Sequence, residues 1–228
     1  MKREIITTED GSTTIHLPEW DEQYHSKHGA IQEAYHVFIE MGFLYFLKKN
    51  QPKPLHILEI GFGTGLNSII TLIEAKKINT KVDYTGVEAY PVASDEIKKL
   101  NYPKQLNTSE ELFNELHNCN WGTLEVISKD FKLLKQNKFF SEIENNNEYH
   151  LIYFDAFGAR VQPELWTVKI FQKMYNALKP EGVLVTYSAK GSVRRAMQEI
   201  GFKVERLPGP PGKREMLRAT KHSRLEME

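Results

Sequence analysis

Short apolar runs alternate along this chain with segments whose apolar residues recur at helical spacing. Seven runs predict strands, at residues 55–60, 81–88, 124–128, 149–154, 183–187, 201–207 and 215–220. Helical patterns follow or separate them, beginning near residue 66 and covering 89–120, 165–178 and 192–200. Strands that alternate with helices predict an α/β fold, with a mostly parallel seven-stranded sheet and helices on both faces.

An extension precedes this alternating pattern. Two β-rich runs, 4–8 and 12–17, flank the turn pair Asp10-Gly11, which predicts an N-terminal β-hairpin. Apolar residues at helical spacing then predict a helix over 29–49, and Pro52 and Pro54 end it. The pattern therefore predicts a hairpin and helix extension over residues 1–50 and one α/β domain over residues 51–222.

Three glycines follow the first strand of the α/β domain at alternate positions, namely Gly61, Gly63 and Gly65. Glycine has no Cβ, so such a turn lets the backbone approach a ligand, although it is also common as an ordinary βα turn. Two acids distinguish this turn, because Glu59 lies just before it and Glu88 ends the next strand. A carboxylate at Glu59 would repel the pyrophosphate of a dinucleotide but suits the ammonium of an amino-acid-like ligand. The spacing G-x-G-x-G also departs from the dinucleotide fingerprint, so these features indicate S-adenosylmethionine as the cofactor.

Each polar residue near the turn has an expected role. We expect Glu59 on the methionine amine side, Asn67 at the methionine carboxylate and Glu88 at the ribose hydroxyls. Asp130, which ends the third predicted strand, is expected at the adenine amino group, although an acid in that position is often only solvated. The predicted cofactor-binding set is Glu59, Gly61, Phe62, Gly63, Gly65, Asn67, Glu88, Asp130 and Asp155.

Composition narrows the class of protein. The 228 residues include 30 basic and 30 acidic side chains, so no global charge indicates a nucleic-acid or membrane partner. A single cysteine, Cys119, excludes an internal disulfide and favours a reducing compartment. The sequence shows neither a transmembrane-length apolar stretch nor a signal peptide, so we expect a soluble cytoplasmic protein with no membrane partner.

Four motifs that occur in one order along the chain carry a family resemblance. They are Glu59-Ile-Gly-Phe-Gly-Thr-Gly-Leu-Asn67, Asp155-Ala-Phe…Pro163-Glu-Leu-Trp166, Thr186-Tyr-Ser-Ala…Gly191-Ser-Val-Arg-Arg195 and Gly212-Lys-Arg-Glu-Met216. Together with residues 24–38 they resemble the methyltransferase domain of the MnmC-type tRNA wobble-uridine modification enzymes. The resemblance implies a Rossmann-like class I fold that transfers methyl from S-adenosylmethionine to the amine of 5-aminomethyl-(2-thio)uridine in tRNA.

The resemblance also implies an organisation. In many members this domain is fused to a flavin-dependent oxidase that first removes a carboxymethyl group. The present chain has no room for that domain, so we expect a stand-alone, flavin-free enzyme that is a monomer. Its expected partners are tRNA and a separate enzyme that supplies the aminomethyl group.

The chemistry of amine methylation indicates a catalytic residue. An amine must lose its proton before it attacks the methyl group, and a carboxylate at the substrate mouth can orient the amine and accept that proton. Asp155, at the end of the fourth strand, is therefore the predicted catalytic residue, the alternative being that it only caps the following segment. Tyr187, at the end of the fifth strand, is expected to line the same cleft.

A basic run occupies the last part of the chain. It comprises Lys190, Arg194, Arg195, Lys203, Arg206, Lys213, Arg214, Arg218, Lys221 and Arg224, opposed by Glu199, Glu205 and Glu215. Such an imbalance can neutralise phosphates, although a solvated basic face is the usual alternative. The predicted substrate and RNA contacts are Phe157, Trp166, Tyr187, Arg194, Arg195, Lys213 and Arg214, and Trp166 is equally compatible with a place in the core.

Two other functions stay open on the sequence alone. The first is a transferase acting on a small-molecule amine, as in a polyamine aminopropyltransferase, against which the basic run argues. The second is a non-catalytic cofactor-binding module, against which the intact Glu59, Glu88 and Asp155 argue. A metal site is not predicted, because no cysteine or carboxylate set completes ligand spacing around His25 and His28.

Overall fold

The structure, a computed structural model, describes residues 2–222 and contains one large and one small sheet. The large sheet consists of β4 (Leu55–Ile60), β5 (Val82–Glu88), β6 (Leu124–Ser128), β7 (Phe131–Asn137), β8 (Tyr149–Phe154), β9 (Leu178–Thr186), β10 (Phe202–Pro208) and β11 (Glu215–Lys221). Their order across the sheet is β10-β11-β9-β8-β4-β5-β7-β6. The four central pairings, from β9 to β7, are parallel, which confirms the predicted mostly parallel α/β fold.

The sheet has eight strands, one more than the sequence predicts, and the additional strand is β7. It is β7 that pairs parallel with β5, whereas β6 lies at the edge and pairs antiparallel with β7. The sequence pattern does not predict β7, because the charged residue Lys135 occupies a position where a buried apolar residue is expected. Only 1 % of its surface is exposed. Its ammonium donates to the carbonyl oxygen of His117 at 2.6 Å and lies 5.0 Å from the ring centroid of Trp121.

One continuous helix ends the N-terminal extension, as predicted. It comprises α1 (Ala30–Ala34), a π-helical segment (Tyr35–Leu44) and α2 (Tyr45–Lys49), and it packs on β8, β9 and β11. Gly42 permits this close approach, because a Cβ there would lie 2.9 Å from Cγ2 of Val185. None of the helices within residues 2–222 is long and apolar enough to cross a membrane.

Helices cover both faces of the large sheet. They are α3 (Leu66–Lys77), α4 (Ser94–Ile97), α5 (Tyr102–Gln105), α6 (Glu110–Asn118), α7 (Val168–Ala177) and α8 (Gly191–Glu199), with 3₁₀ turns at Phe140–Glu142 and Pro163–Trp166. Adjacent β4 residues face opposite sides, so Ile57 packs in the core with α3 and Leu58 packs in the core with α7 and α8. The first core also contains Val37 and Phe43, so the N-terminal helix shares the core of the α/β domain.

The small sheet lies beside the carboxyl ends of the large-sheet strands. It consists of β1 (Glu4–Thr7), β2 (Thr13–Leu17) and β3 (Glu22–Gln23), so the predicted hairpin is present and gains a third strand. The backbone N–H of Thr13 donates to Oδ1 of Asn101 at 2.9 Å, and the N–H of Asn101 donates to Oγ1 of Thr13 at 3.0 Å. These bonds fix the small sheet to the segment before α5, and β3 lines the cavity described next.

Candidate active site

A cavity of about 1290 Å³ opens at the carboxyl edge of the large sheet. Four neighbouring strands contribute to its lining at their ends: Glu59 and Gly61 at β4, Glu88 at β5, Asp155 after β8 and Tyr187 after β9. The carboxyl ends of parallel strands meet at one edge of a sheet, which is why residues distant in sequence converge here. The structure therefore brings the predicted acids and the predicted tyrosine together in one cavity.

The glycine turn requires its glycines. Gly61, Gly63 and Gly65 have φ angles of 89°, 48° and 71°, in the left-handed region that favours glycine. A Cβ at Gly61 would lie 2.7 Å from the carbonyl oxygen of Asp155, so the two strand ends are in direct backbone contact. The N–H of Gly63 donates to Oε2 of Glu88 at 3.1 Å. The turn is thus fixed against the two strands on either side of β4.

Phe62 supports the glycine turn from the core side. It is buried, and a Cβ at Gly86 of β5 would lie 2.3 Å from its ring. The ring also contacts His117 and Trp121 edge-on, at centroid distances of 6.0 and 6.1 Å. Phe62 lines the cavity, as predicted for a cofactor-binding residue, but its side chain serves mainly to pack beneath the turn.

Asn67, in the first turn of α3, joins two of the acids. Its Nδ2 donates to Oε1 of Glu59 at 2.9 Å and to Oδ2 of Asp155 at 2.8 Å. Both amide hydrogens are therefore engaged within the protein. This differs from the expectation that Asn67 binds a cofactor carboxylate, because the amide has no further hydrogen to donate.

Burial changes the protonation of both acids. Glu59 is 1 % exposed, and burial raises its pKa well above the usual range, with a smaller increase from the charge of Asp155. Hydrogen bonding from Asn67 and from the buried hydroxyl of Tyr84 acts in the opposite direction and lowers the pKa. The pKa of Asp155 is raised to about 7, first by burial and then by the carboxylate of Glu33, against the hydrogen bond from Asn67 and the charge of Lys213, which lower it. Asp155 can therefore gain or lose a proton near neutral pH.

Lys213 lies in the cavity, and about a third of its side chain is exposed (33 %). Its ammonium forms an ion pair with Glu33, a residue of α1 that is 6 % exposed. It also lies 3.9 Å from the ring centroid of Tyr187, whose hydroxyl donates to the carbonyl oxygen of Ala156 at 2.8 Å. Contact between Lys213 and the substrate or RNA stays a prediction, and the structure adds that its charge is paired with Glu33 in the cavity that contains Asp155.

Aromatic side chains form one wall of the cavity. The ring of Phe157 contacts the ring of Tyr24 edge-on at 4.9 Å and the ring of Trp20 at 5.8 Å. All three line the cavity, and Trp20 and Tyr24 come from the small sheet and its loops. The wall thus joins the predicted substrate residue Phe157 to two residues that the sequence did not single out as site residues.

Trp166 belongs to the core. It is 5 % exposed, its ring packs edge-on against Phe154 at 5.0 Å, and it is absent from the cavity lining. Its Nε1 donates to the carbonyl oxygen of Phe157 at 2.7 Å. Its predicted contact with substrate is therefore replaced by an indirect role, in which it holds the backbone of Phe157.

Asp130 lies at the opposite edge of the sheet from the cavity. It precedes β7, and its carbonyl oxygen accepts from the N–H of Val82 at the start of β5. The expectation that Asp130 binds adenine is wrong, because the third parallel strand is β7 and ends at Asn137. The cavity beyond Glu88 is instead lined by Tyr90 and Phe139, two exposed rings 6.0 Å apart.

The basic residues that line the cavity differ from the predicted set. Arg194, Arg195 and Arg214 are absent from the lining, and Arg224 lies outside residues 2–222. The exposed cations in the lining that have no ion pair within the described residues are Lys27, Lys169 and Lys190. They come from the loop before α1, the first turn of α7 and the start of α8, so only Lys190 belongs to the basic run that the sequence displays.

Comparison with known proteins fits this geometry. A family model described as S-adenosyl-L-methionine-dependent methyltransferase matches residues 95–222. The chain belongs to this family. The cofactor class inferred from the glycine turn and the two strand-end acids is therefore the one on which the family depends.

Two curated relatives carry the name tRNA 5-methylaminomethyl-2-thiouridine biosynthesis bifunctional protein MnmC. The protein from Polaromonas naphthalenivorans (strain CJ2) is 26 % identical over 239 residues, covering 95 % of this chain and 36 % of the relative. The protein from Acidovorax sp. (strain JS42) is 25 % identical over 237 residues, covering 99 % of this chain and 36 % of the relative. The chain thus spans about a third of the length of these relatives.

Solved structures show the same relationship. MNMC2 from Aquifex aeolicus matches with a TM-score of 0.80 and 26 % identity, over 97 % of this chain and 71 % of that one. Spermidine synthase from Thermotoga maritima matches with a TM-score of 0.59 and 15 % identity, over 96 % of this chain and 68 % of that one, which shows the fold alone. The resemblance found in the motifs is confirmed, and the chain contains a methyltransferase domain of the MnmC type.

Proposed function

We propose that this chain transfers a methyl group from S-adenosylmethionine to the primary amine of 5-aminomethyl-(2-thio)uridine at the wobble position of tRNA. The name of the curated relatives refers to biosynthesis of 5-methylaminomethyl-2-thiouridine, which is the product of such a transfer. The observation that carries the proposal is the position of Asp155, a carboxylate with a pKa of about 7 in the cavity wall.

Asp155 accepts the proton of the target amine. An alkyl amine is largely protonated near neutral pH, and this ammonium form must lose a proton to expose the nitrogen lone pair. With its raised pKa, Asp155 is ionised in part of the population at neutral pH and binds a proton more readily than an ordinary aspartate. Asp155 would hold the proton that the ammonium releases, which leaves the nitrogen lone pair free to attack.

The residues around the glycine turn fit S-adenosylmethionine. The buried carboxylate of Glu59 lies in the cavity wall, where it can receive an ammonium group, and the glycines leave backbone open to the ligand. Glu88 accepts N–H bonds from Gly63 and Tyr90 and has lone pairs left for ribose hydroxyls. When bound, S-adenosylmethionine supplies an electrophilic methyl group on its sulfonium.

The aromatic wall and the cavity-lining lysines suit a nucleotide within RNA. Single-stranded bases stack on aromatic side chains, and Trp20, Tyr24 and Phe157 provide such a surface near Asp155. Phosphates bind cations that are not already neutralised, which describes Lys27, Lys169 and Lys190. In this proposal the anticodon loop lies across the cavity mouth, and the wobble base enters against the aromatic wall.

The proposal includes a division of labour. The match covers 36 % of each of the two MnmC relatives. In this proposal the aminomethyl group is exposed in an earlier reaction, before the tRNA reaches this methyltransferase domain. The reaction would take place in the cytoplasm, on tRNA that already carries the exposed amine.

A methylation assay tests the proposal. The purified chain is incubated with labelled S-adenosylmethionine and tRNA from a strain that lacks the final wobble methylation, and in parallel with small diamines. Label in the tRNA that depends on the cavity residue Asp155 supports the proposal. Label only in the diamines would instead establish a transferase for small-molecule amines.

A further inference from the structure

We propose that Glu33 and Lys213 are a positioning pair that controls the proton-accepting carboxylate of Asp155 through two opposed charges. This inference rests on the proposed function of Asp155 as proton acceptor. It gives the basic motif Gly212-Lys213-Arg214 a role inside the reaction, whereas the sequence suggests only RNA binding.

Glu33 is held rigidly on the N-terminal side of the cavity. It belongs to α1, and its Oε2 accepts from the backbone N–H of Ser26 at 2.8 Å. Its Oε1 accepts from the ammonium of Lys213. Only 6 % of the surface of Glu33 is exposed, so the loss of Lys213 would leave a poorly solvated carboxylate next to Asp155.

A tight turn delivers Lys213 from the other end of the chain. The N–H of Lys213 donates to the carbonyl oxygen of Pro210 at 2.9 Å, and the N–H of Gly209 donates to that of Arg214 at 3.1 Å. Nε2 of His36 donates to the carbonyl oxygen of Pro208 at 2.8 Å, which fixes the turn to the helix that carries Glu33. The lysine stem reaches into the cavity, where its ammonium lies over the ring of Tyr187.

The two charges act on Asp155 in opposite directions. The carboxylate of Glu33 raises the pKa of Asp155, and the ammonium of Lys213 lowers it. An ion pair next to a catalytic acid therefore has a small net effect while both members are charged, and a large effect when either is removed. Lys213 and Glu33 also shape the wall against which the amine is placed, since both line the cavity.

The other titratable groups around Asp155 form a common background for any change at the pair. They come from β3, β4, β5, α5, the end of β9 and the loop before α1, and are Glu22, Glu59, Tyr84, Glu88, Tyr102, Tyr187 and His25. Burial raises the pKa of the three tyrosines and lowers that of His25 to about 4, so these four groups are neutral near pH 7. Variants of Glu33 and Lys213 leave all of them in place.

The test combines a pH profile with a titration that needs no activity. Glu33→Gln should move the acid limb of kcat/KM to lower pH, and Lys213→Met should move it to higher pH, each by about one pH unit. The double variant should return the limb close to that of the unmodified chain. The same three shifts should appear in the ¹³C titration of the Asp155 carboxyl group, assigned with Asp155→Asn, in cofactor-free protein.

Controls separate this role from a merely structural one. Lys213→Arg keeps the charge and should leave the limb in place even if KM rises, and Lys48→Gln, at an exposed position on α2, should change neither readout. If Lys213→Met is unstable, Lys213→Gln gives the same neutral state. Shifts of Glu33→Gln and Lys213→Met in one direction, or no shift in either, would overturn the inference.

The two readouts also distinguish this inference from the proposed function. Opposed shifts in the NMR titration without tRNA methylation would support the pair and remove the proposed function. Methylation of tRNA with an unmoved Asp155 titration would support the function and remove the pair.

Discussion

Asn67 donates its side-chain amide to Asp155 at 2.8 Å, and the same nitrogen donates to Glu59 at 2.9 Å. The end of β8 is thereby tied to the end of β4 through the first turn of α3. One side of this bridge faces the expected cofactor ammonium and the other faces the expected substrate amine. The bridge thus relates the position of the proton acceptor to the position of the methyl donor.

Asp155→Asn should remove most of the activity while leaving the cofactor site intact. Asparagine can still accept from Asn67 but cannot take up the ammonium proton, so kcat should fall by about 10²- to 10⁴-fold. Calorimetry should show an S-adenosylmethionine Kd within a few fold of that of the unmodified chain. Full turnover by this variant would remove Asp155 from its assigned role.

The same substitution should stabilise the fold at alkaline pH. The pKa of Asp155 is raised from 3.8 to about 7, so the unfolded chain releases this proton first. Ionisation therefore favours the unfolded state as pH rises above the unfolded value, and the cost is complete above pH 7. We expect Asp155→Asn to gain up to about 4 kcal/mol in the free energy of unfolding at pH 8, at about 1.4 kcal/mol per pKa unit, and little at pH 4.

Urea unfolding at the two pH values measures this gain. Asp95→Asn, which changes an exposed aspartate of α4, is the matched control and should show no comparable pH-dependent gain. An equal gain for Asp155→Asn at both pH values would mean that the carboxyl group is not held near neutrality.

Much of the fold and part of the site follow from the sequence, for identifiable reasons. Three apolar strands have an acid at or next to their carboxyl ends, namely Glu59, Glu88 and Asp155. Both the positions of these strands in the chain and the convergence of the three acids could therefore be predicted. The strand that ends at Asn137 could not, because its buried Lys135 removes the expected apolar alternation. Without β7, the sequence pattern puts the end of the third parallel strand at Asp130. In the structure Asp130 lies at the opposite edge of the sheet from the cavity.

Other site features depend on contacts that no linear pattern contains. Glu33 and Lys213 are separated by 180 positions and meet only because the N-terminal helix packs across the strands beside the C-terminal turn. Trp166 follows the substrate motif, yet its ring fills the core beneath Phe157. Lys27 and Lys169 reach the cavity from segments with no basic bias.

Glu59→Gln should weaken cofactor binding and flatten its dependence on pH. Burial raises the pKa of Glu59, so the carboxyl group must lose a proton to pair with an ammonium, and binding should tighten as pH rises. Glutamine loses the charged partner, which should raise the Kd for S-adenosylmethionine by about 10- to 100-fold. Calorimetry between pH 6 and pH 8 measures both effects.

The control for this prediction is Glu111→Gln, at an exposed position on α6. It should bind the cofactor as the unmodified chain does. A Glu59→Gln variant with unchanged affinity across the pH range would show that the ammonium group binds elsewhere.

Removal of the three exposed lysines that line the cavity without an ion pair should weaken tRNA binding uniformly across tRNA sequences. Lys27, Lys169 and Lys190 are exposed and have no ion pair within residues 2–222, so each can release a counterion from a phosphate. Each phosphate contact on a single strand contributes roughly 0.7 to the magnitude of the slope of log K against log salt. The triple glutamine variant removes three contacts and should therefore reduce that magnitude by about 2.

Filter binding at several salt concentrations measures that slope. The variant Arg194→Gln with Arg195→Gln tests the basic run that the sequence displays, and those residues lie outside the cavity lining. A larger change for the arginine pair than for the lysines would place the RNA path along α8 and not across the cavity mouth.

The proposed reaction methylates the amine of the wobble nucleoside, and Asp155 accepts the proton of that amine. Mass spectrometry of nucleosides tests it most directly, after tRNA that carries 5-aminomethyl-2-thiouridine has been incubated with the chain and S-adenosylmethionine. We expect conversion to 5-methylaminomethyl-2-thiouridine, heavier by one CH₂ unit, and conversion slowed by about 10²-fold or more with Asp155→Asn. Unchanged 5-aminomethyl-2-thiouridine in the presence of a folded, cofactor-binding chain would contradict it.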